Sequence, residues 1–206
     1  ESPGLGDVYK RQGQASSKNI DDVGFLASLI QHLAATLPVD GNRIYMTGHS
    51  NGGMMSFRFG CERPDLVRGV APVAGSLEVP KCQPTRGTSL LAIHGDADQN
   101  HPIEGGRGTR SVSGVAYRPL REGMDALAAA ARCSADPTES VEGAVTVLAW
   151  SGCDDGRSIE ARIVAGADHP WPGSEPRENP DEAQGQPSQA MDATEEIVDF
   201  LLAHRG

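Results

Sequence analysis

Residues 43–61 read RIYMTGHSNGGMMSFRFGC, and how this stretch folds decides the fold of the chain. Residues 43–47 carry Ile44, Tyr45 and Thr47, types that suit a pleated strand. From Asn51 to about Cys61, Met54, Met55, Phe57 and Phe59 suit a helix partly facing a core, and Pro64 ends it. Between the two lies Gly48-His49-Ser50-Asn51-Gly52, the pattern G-x-S-x-G. In a chain with 25 Gly that pattern is weak by itself. Its context of strand, sharp turn and helix is what a nucleophile elbow needs. Such a turn holds its Ser at positive φ and packs closely on both flanks, so small neighbours are required. Gly48, Gly52 and Gly53 meet that need. Ser50 is then expected at the carboxyl edge of a sheet and at a helix N-terminus, where developing negative charge is favoured. The competing reading is a glycine loop that cradles phosphate. The P-loop Lys and the spacing of a dinucleotide fingerprint are both missing.

Outward from this stretch the pattern alternates. Val23, Leu26, Ile30, Leu33 and Leu37 are spaced 3, 4, 3, 4 and form one apolar helix face, capped by Asp21 or Asp22 and ended by Pro38. Residues 67–74 and 89–93 are short apolar runs, as expected of buried parallel strands. Residues 99–117 are Gly-rich and irregular. Pro119 opens a helix through Met124, Leu127 and Ala131. Residues 144–150 and 158–164 read as strands separated by a turn at 152–156. Residues 170–189 are dense in Pro, Gly, Glu and Gln and read as a surface loop. A last helix follows, with Asp192 and Glu195 as a capping box, Ile197, Val198, Leu201 and Leu202 as its buried stripe, and His204 serving its final turn. The alternation predicts an α/β fold: a mostly parallel sheet with helices on both faces.

A serine needs a base and an orienting acid. In an elbow fold the chain order is Ser, then Asp or Glu, then His. Residues 90–106, LLAIHGDADQNHPIEGG, supply a strand followed by Asp96 and Asp98. The base must follow the acid, which leaves His101, His169 and His204. His101 lies too near Asp98 to span two loops, and His204 closes the terminal helix. His169 follows the strand ending near Val164, where a base loop belongs. The segment DADQN also resembles a calcium loop, but its sixth position is His101 rather than Gly and its twelfth is Arg107 rather than Glu. A metal site of His94, Asp96, Asp98 and His101 is disfavoured, because Asp96 reads as a turn residue and His94 as a packed strand-end histidine; no metal and no cofactor is implied.

Length and charge bound the rest. The chain of 206 residues suits one domain. Its net charge of −10 argues against a nucleic-acid partner. No apolar run approaches the roughly 18 residues of a membrane span. Cys61, Cys82, Cys133 and Cys153 contain no CxxC pair; they are either two disulfides, in any of three pairings, or buried thiols. Residues 1–14 lack periodicity, and GLGDVYKRQ within them resembles translated adapter sequence. They are read as a non-native segment, and residues 15–206 as a single, partial domain.

The motifs DDVGFLASLI, VDGNRIYMTGHSNGGMM, APVAGSL, IHGDAD, DHPWPG and DATEEIVDFL follow one another across about residues 21–202. In this order they resemble the polyhydroxybutyrate depolymerase-like esterases, secreted α/β-hydrolases related to the feruloyl and acetylxylan esterases of carbohydrate esterase family 1. The resemblance implies an α/β-hydrolase fold whose first strands lie upstream of this chain. It implies a triad of Ser50, Asp98 (rather than Asp96) and His169, with the Asn51 N–H in the oxyanion hole. It implies His49 and Trp171 beside the substrate, and the pairings Cys61–Cys82 and Cys133–Cys153. A second oxyanion donor is expected from an upstream HG loop; loss of one such donor costs roughly 10²–10³ in rate. The chain departs from the pattern at Asp168, where the family usually has Gly, and at Pro170, where it usually has Thr. The Asp168 carboxylate beside His169 is expected to favour the charged imidazole.

The function so implied is hydrolysis of carboxylic esters outside the cell, on a polyester or a plant cell-wall polysaccharide ester, through an acyl-serine. The oligomeric state is left open. An acyltransferase would use the same triad and differ in its products when an alcohol acceptor is added. A fold remnant without chemistry would fail to react with a fluorophosphonate at Ser50.

Overall fold

The computed structural model describes residues 20–204, except 80, 85, 112–113 and 179–184. Residues 1–14, read above as non-native, lie outside the described residues. The described chain runs α1 (Asp22–Thr36), β1 (Tyr45–His49), α2 (Asn51–Glu62), β2 (Gly69–Val73), β3 (Ser89–Gly95), β4 (Gly106–Arg107), β5 (Ala116–Tyr117), α3 (Leu120–Ala130), β6 (Thr138–Glu142), β7 (Val145–Trp150), β8 (Ile159–Val164) and α4 (Ala193–Ala203). Six strands form one sheet in the order β1-β2-β3-β8-β7-β6. β1, β2, β3 and β8 are parallel; β7 and β6 are antiparallel to their neighbours. β4 and β5 make a separate two-stranded ribbon. The mostly parallel sheet with helices on both faces is an α/β-hydrolase fold, as expected.

Alternation along the central strands sorts the core into two layers. Val70, Leu90, Ala92, Ile159 and Ala161 face α1, α2 and α3, where Phe57, Phe59, Met124 and Leu127 are fully buried. Ala71, Val73, Leu91, Ile93 and Val164 face α4 through Ala193, Ile197, Phe200 and Leu201. Residues on both faces of β2 and β3 are buried, which is why these strands read as continuous apolar runs.

Several expectations need correction. In α1 only Val23 and Ala27 are buried, whereas Leu33 and Leu37 are exposed. The helix meets the core through its first half, and no described element covers the second. In α4, Val198 is exposed and Phe200 takes its place in the stripe. Asp21 caps α1 by accepting the Gly24 N–H, and Asp192 caps α4 by accepting from Thr194 and Glu195. Pro119 is the N-cap of α3 rather than its first residue.

β6 escaped the sequence reading because all five of its residues are exposed, so no alternation marks it. It is recognisable only by its pairing with β7 across the turn at Gly143 and Ala144, with Gly143 at positive φ. Disulfides join Cys61 to Cys82 and Cys133 to Cys153. The first ties the end of α2 to the segment after β2. The second ties the end of α3 to the β7–β8 connection.

Candidate active site

Parallel strands bring their carboxyl ends to one edge. Ser50 follows β1, Asp98 follows β3 and His169 follows β8, so all three lie at the same edge of the sheet. β1 and β8 are three strand spacings apart, ~14 Å at ~4.8 Å each, and the loops must reach across this gap. They do. The Ser50 hydroxyl is 3.0 Å from His169 Nε2, and His169 Nδ1 is 2.8 Å from Asp98 Oδ2. With Nδ1–H donated to the carboxylate, Nε2 is left to accept the serine proton.

Local backbone explains the placement of Ser50. Its φ of 56° lies in the left-handed region, and it is the N-cap of α2. Its N–H donates to the Val73 carbonyl at the end of β2, and its own carbonyl accepts from Met54. A Cβ on Gly48 would stand 2.6 Å from the Gly52 backbone, and one on Gly53 would stand 2.6 Å from the Val73 carbonyl oxygen. Both glycines are therefore demanded by close packing. A Cβ on Gly52 meets nothing within 4 Å, so Gly52 is needed for the nearness of its backbone to Gly48 and not for its own lack of a side chain. Asn51 opens α2, which puts its N–H among the unpaired donors of a helix N-terminus.

The acid loop is held from within. Asp98 Oδ1 accepts the N–H groups of Asn100 and His101, each at 2.8 Å. Burial pushes the Asp98 carboxyl up, but the His169 hydrogen bond and charge, the His101 N–H and His94 outweigh it and hold it below the usual carboxylate range. His94 is fully buried and donates Nε2–H to the His101 carbonyl. The His101 ring stacks on Tyr117 at 3.8 Å and bonds to Ser76 Oγ, which donates to Glu78. Burial and then the neighbouring His94 push the His101 imidazole down to about 3. Burial likewise pushes Glu78 up, against the Ser76 hydroxyl and the Arg118 N–H. The sequence marks His94 as a packed strand-end histidine and sets His101 aside as too near Asp98 to be the base. Their part in fixing the acid loop was not legible, because it depends on Ser76 and Glu78, which are distant in the chain.

Asp96 is a turn residue that accepts the Gly166 N–H, which links the acid loop to the base loop. Among the described residues no group of three or more His, Cys, Asp and Glu is arranged to hold a metal ion. His49 donates Nε2–H to the His169 carbonyl at 2.7 Å, and its ring lies against those of His169 and Trp171. Burial lowers the His49 imidazole. Trp171 is half-buried and donates Nε1–H to Thr194 at the start of α4. The Asp168 carboxylate next to His169 has a cation beside it. It is paired with Arg110 at 2.7 Å. His204 bonds through Nδ1 to the Phe200 carbonyl, in keeping with a role at the end of α4.

No protein-family model matches the chain. It is 29% identical over 197 residues to the putative esterase NocK of Nocardia uniformis subsp. tsuyamanensis, covering 88% of this chain and 57% of that protein. It is 27% identical over 156 residues to feruloyl esterase B of Piromyces equi, covering 72% of this chain and 29% of that protein. The chain thus spans little more than half the length of the first relative and less than a third of the second. Among solved structures, the acetyl xylan esterase of Aspergillus awamori superposes with a TM-score of 0.55 at 10% identity, over 86% of this chain and 66% of that one; the likeness is one of fold. Fold and sequence together set the chain beside the esterase-like α/β-hydrolases.

Proposed function

We propose that the protein hydrolyses carboxylic esters through an acyl-serine, with Ser50 as nucleophile, His169 as general base and Asp98 as the orienting acid. The observation that carries this reading is the unbroken hydrogen-bonded chain from the Ser50 hydroxyl through His169 to Asp98, with Ser50 on strained backbone at a helix N-terminus. His169 Nε2 takes the hydroxyl proton as Ser50 attacks the ester carbonyl. Asp98 keeps the imidazole in the tautomer that can accept that proton, and it stabilises the imidazolium that forms. The tetrahedral oxygen is held by the Asn51 N–H and the positive end of α2. His169 then returns the proton to the leaving alcohol. Water, activated by the same imidazole, releases the acid from Ser50.

Feruloyl esters and acetyl esters of cell-wall sugars are the substrate classes that the names of the similar proteins support. A polyester is the class added by the resemblance of the motifs. His49 and Trp171 are assigned to the rim of the substrate site, His49 also holding the base loop through the His169 carbonyl. Two disulfides fit an oxidising compartment, and we place the protein outside the cytosol. The test is Ser50→Ala in the full-length protein, assayed with p-nitrophenyl acetate and methyl ferulate. Both activities are expected to vanish, together with labelling by a fluorophosphonate. Hydrolysis that survives the substitution overturns the assignment.

A further inference from the structure

Beyond the Asp96–Gly166 and Ala97–Ala167 hydrogen bonds, two cross-links join the acid loop to the base loop at Asp98, His169 and their chain neighbours, and the proposed chemistry uses only one of them. The first is the Asp98–His169 hydrogen bond. The second lies one residue along each loop. Asp168 precedes His169, and Gln99 follows Asp98. Asp168 Oδ1 accepts the His169 N–H at 2.9 Å and the Gln99 N–H at 3.4 Å. Its Oδ2 pairs with Arg110 Nη1 at 2.7 Å. Arg110 also donates Nε–H to the Gln99 side chain, and its backbone N–H donates to the Gln99 carbonyl. One carboxylate and one guanidinium thus hold the residues that flank Asp98 and His169.

From this geometry we infer that Asp168 and Arg110 form a positioning clamp that sets the reach between Asp98 and His169. The inference rests on the esterase reading above. The clamp is more than a surface ion pair. The Asp168 side chain is 15% exposed and that of Arg110 30%. Gly185 closes over it: a Cβ at that position would stand 2.6 Å from Asp168 Oδ2. The need for a clamp follows from the construction of the site. Asp98 and His169 hang on separate loops beyond neighbouring strands, and a misplacement of about 1 Å at a reacting group costs roughly 100-fold in rate.

The test compares Arg110→Ala, Arg110→Lys, Asp168→Asn and the double variant Arg110→Ala/Asp168→Asn in the full-length protein. Turnover of p-nitrophenyl acetate is normalised to the sites titrated by a fluorophosphonate, so that loss of folded protein is not mistaken for loss of rate. The clamp requires Arg110→Ala to lower kcat about 10-fold with KM within twofold, across the whole pH profile and without shifting its apparent pKa. Arg110→Lys restores most of the loss, and the double variant is no worse than the poorer single one. Unchanged kcat per titrated site in Arg110→Ala overturns the clamp, as do losses that simply multiply in the double variant. A shift of the pH profile with kcat at its plateau unchanged would assign Asp168 to charge tuning and also overturn it. In all three cases a dead Ser50→Ala leaves the esterase reading standing; activity in Ser50→Ala removes that reading first.

Discussion

At the residue scale the elbow turns on three glycines with different duties. Gly48 and Gly53 each stand where a Cβ would meet backbone at 2.6 Å, and backbone cannot give way cheaply. Gly52 has open space and sits in the first turn of α2. Gly48→Ala and Gly53→Ala are therefore expected to destabilise the fold by about 2 kcal/mol or more. Gly52→Ala is expected to hold or raise stability by about 0.5–1 kcal/mol, because alanine is the better helix former. Urea denaturation of the three variants checks this; equal losses at all three positions would mean that the motif is read wrongly. The pattern G-x-S-x-G was plain in the sequence, but which glycine answers to which contact was not. For Gly53 that depends on Val73, the end of a different strand, and for Gly48 on how tightly the turn folds back onto Gly52.

At the scale of elements, two helices of the first face, α2 and α3, are secured at their carboxyl ends by cystines. Cys133 follows α3, and its partner Cys153 lies between β7 and β8, 20 residues away in sequence. Closing a loop of that length removes unfolded-state entropy worth about 3 kcal/mol. Cys133→Ser/Cys153→Ser is expected to lower Tm by several degrees while the Cys61–Cys82 link stays intact. A melt indistinguishable from that of the parent protein would show that the α3–β7 corner is held by packing alone. Helix and strand positions were mostly legible, because apolar spacing reports a buried face. The exceptions have one cause. β6 is exposed throughout, its one apolar side chain Val141 included, and the second half of α1 shows an apolar stripe that no described element covers. Spacing reveals which side chains are apolar, not what arrives to cover them.

For the whole molecule, pH acts on stability through the buried histidines. His101 is pushed from its ordinary 6.5 to about 3 by burial and by His94, and burial lowers His94 in the same direction. As pH falls through 6.5 the unfolded chain takes up protons that the folded chain refuses until about 3. Stability is thus lost across that window by about 1.4 kcal/mol per pH unit through His101, and His94 adds to the loss in the same direction. Asp98, held low, adds to the loss only further down, as pH falls from its ordinary 3.8 through its folded value. Glu78 works the other way: its raised folded value contributes stability on the acid side that is lost as pH rises through it. The urea midpoint is expected to fall steadily from pH 6.5 to 4.5, and His101→Gln to flatten that slope even if it lowers stability overall. A midpoint constant over this range would contradict the assignment.

By itself the sequence determined the order of the parts. Strand, glycine turn and helix around Ser50, an acid after one later strand and a histidine after another are local features, set by backbone sterics and apolar spacing that a reader can follow along the chain. Tertiary structure alone decided what those parts touch. Only parallel pairing in the order β1-β2-β3-β8 brings three strand ends to one edge. Only there do Ser50, His169 and Asp98 come within hydrogen-bonding distance, and only there does Arg110 find Asp168, or Ser76 find His101. These contacts join residues far apart in sequence, through directional bonds that no periodicity encodes.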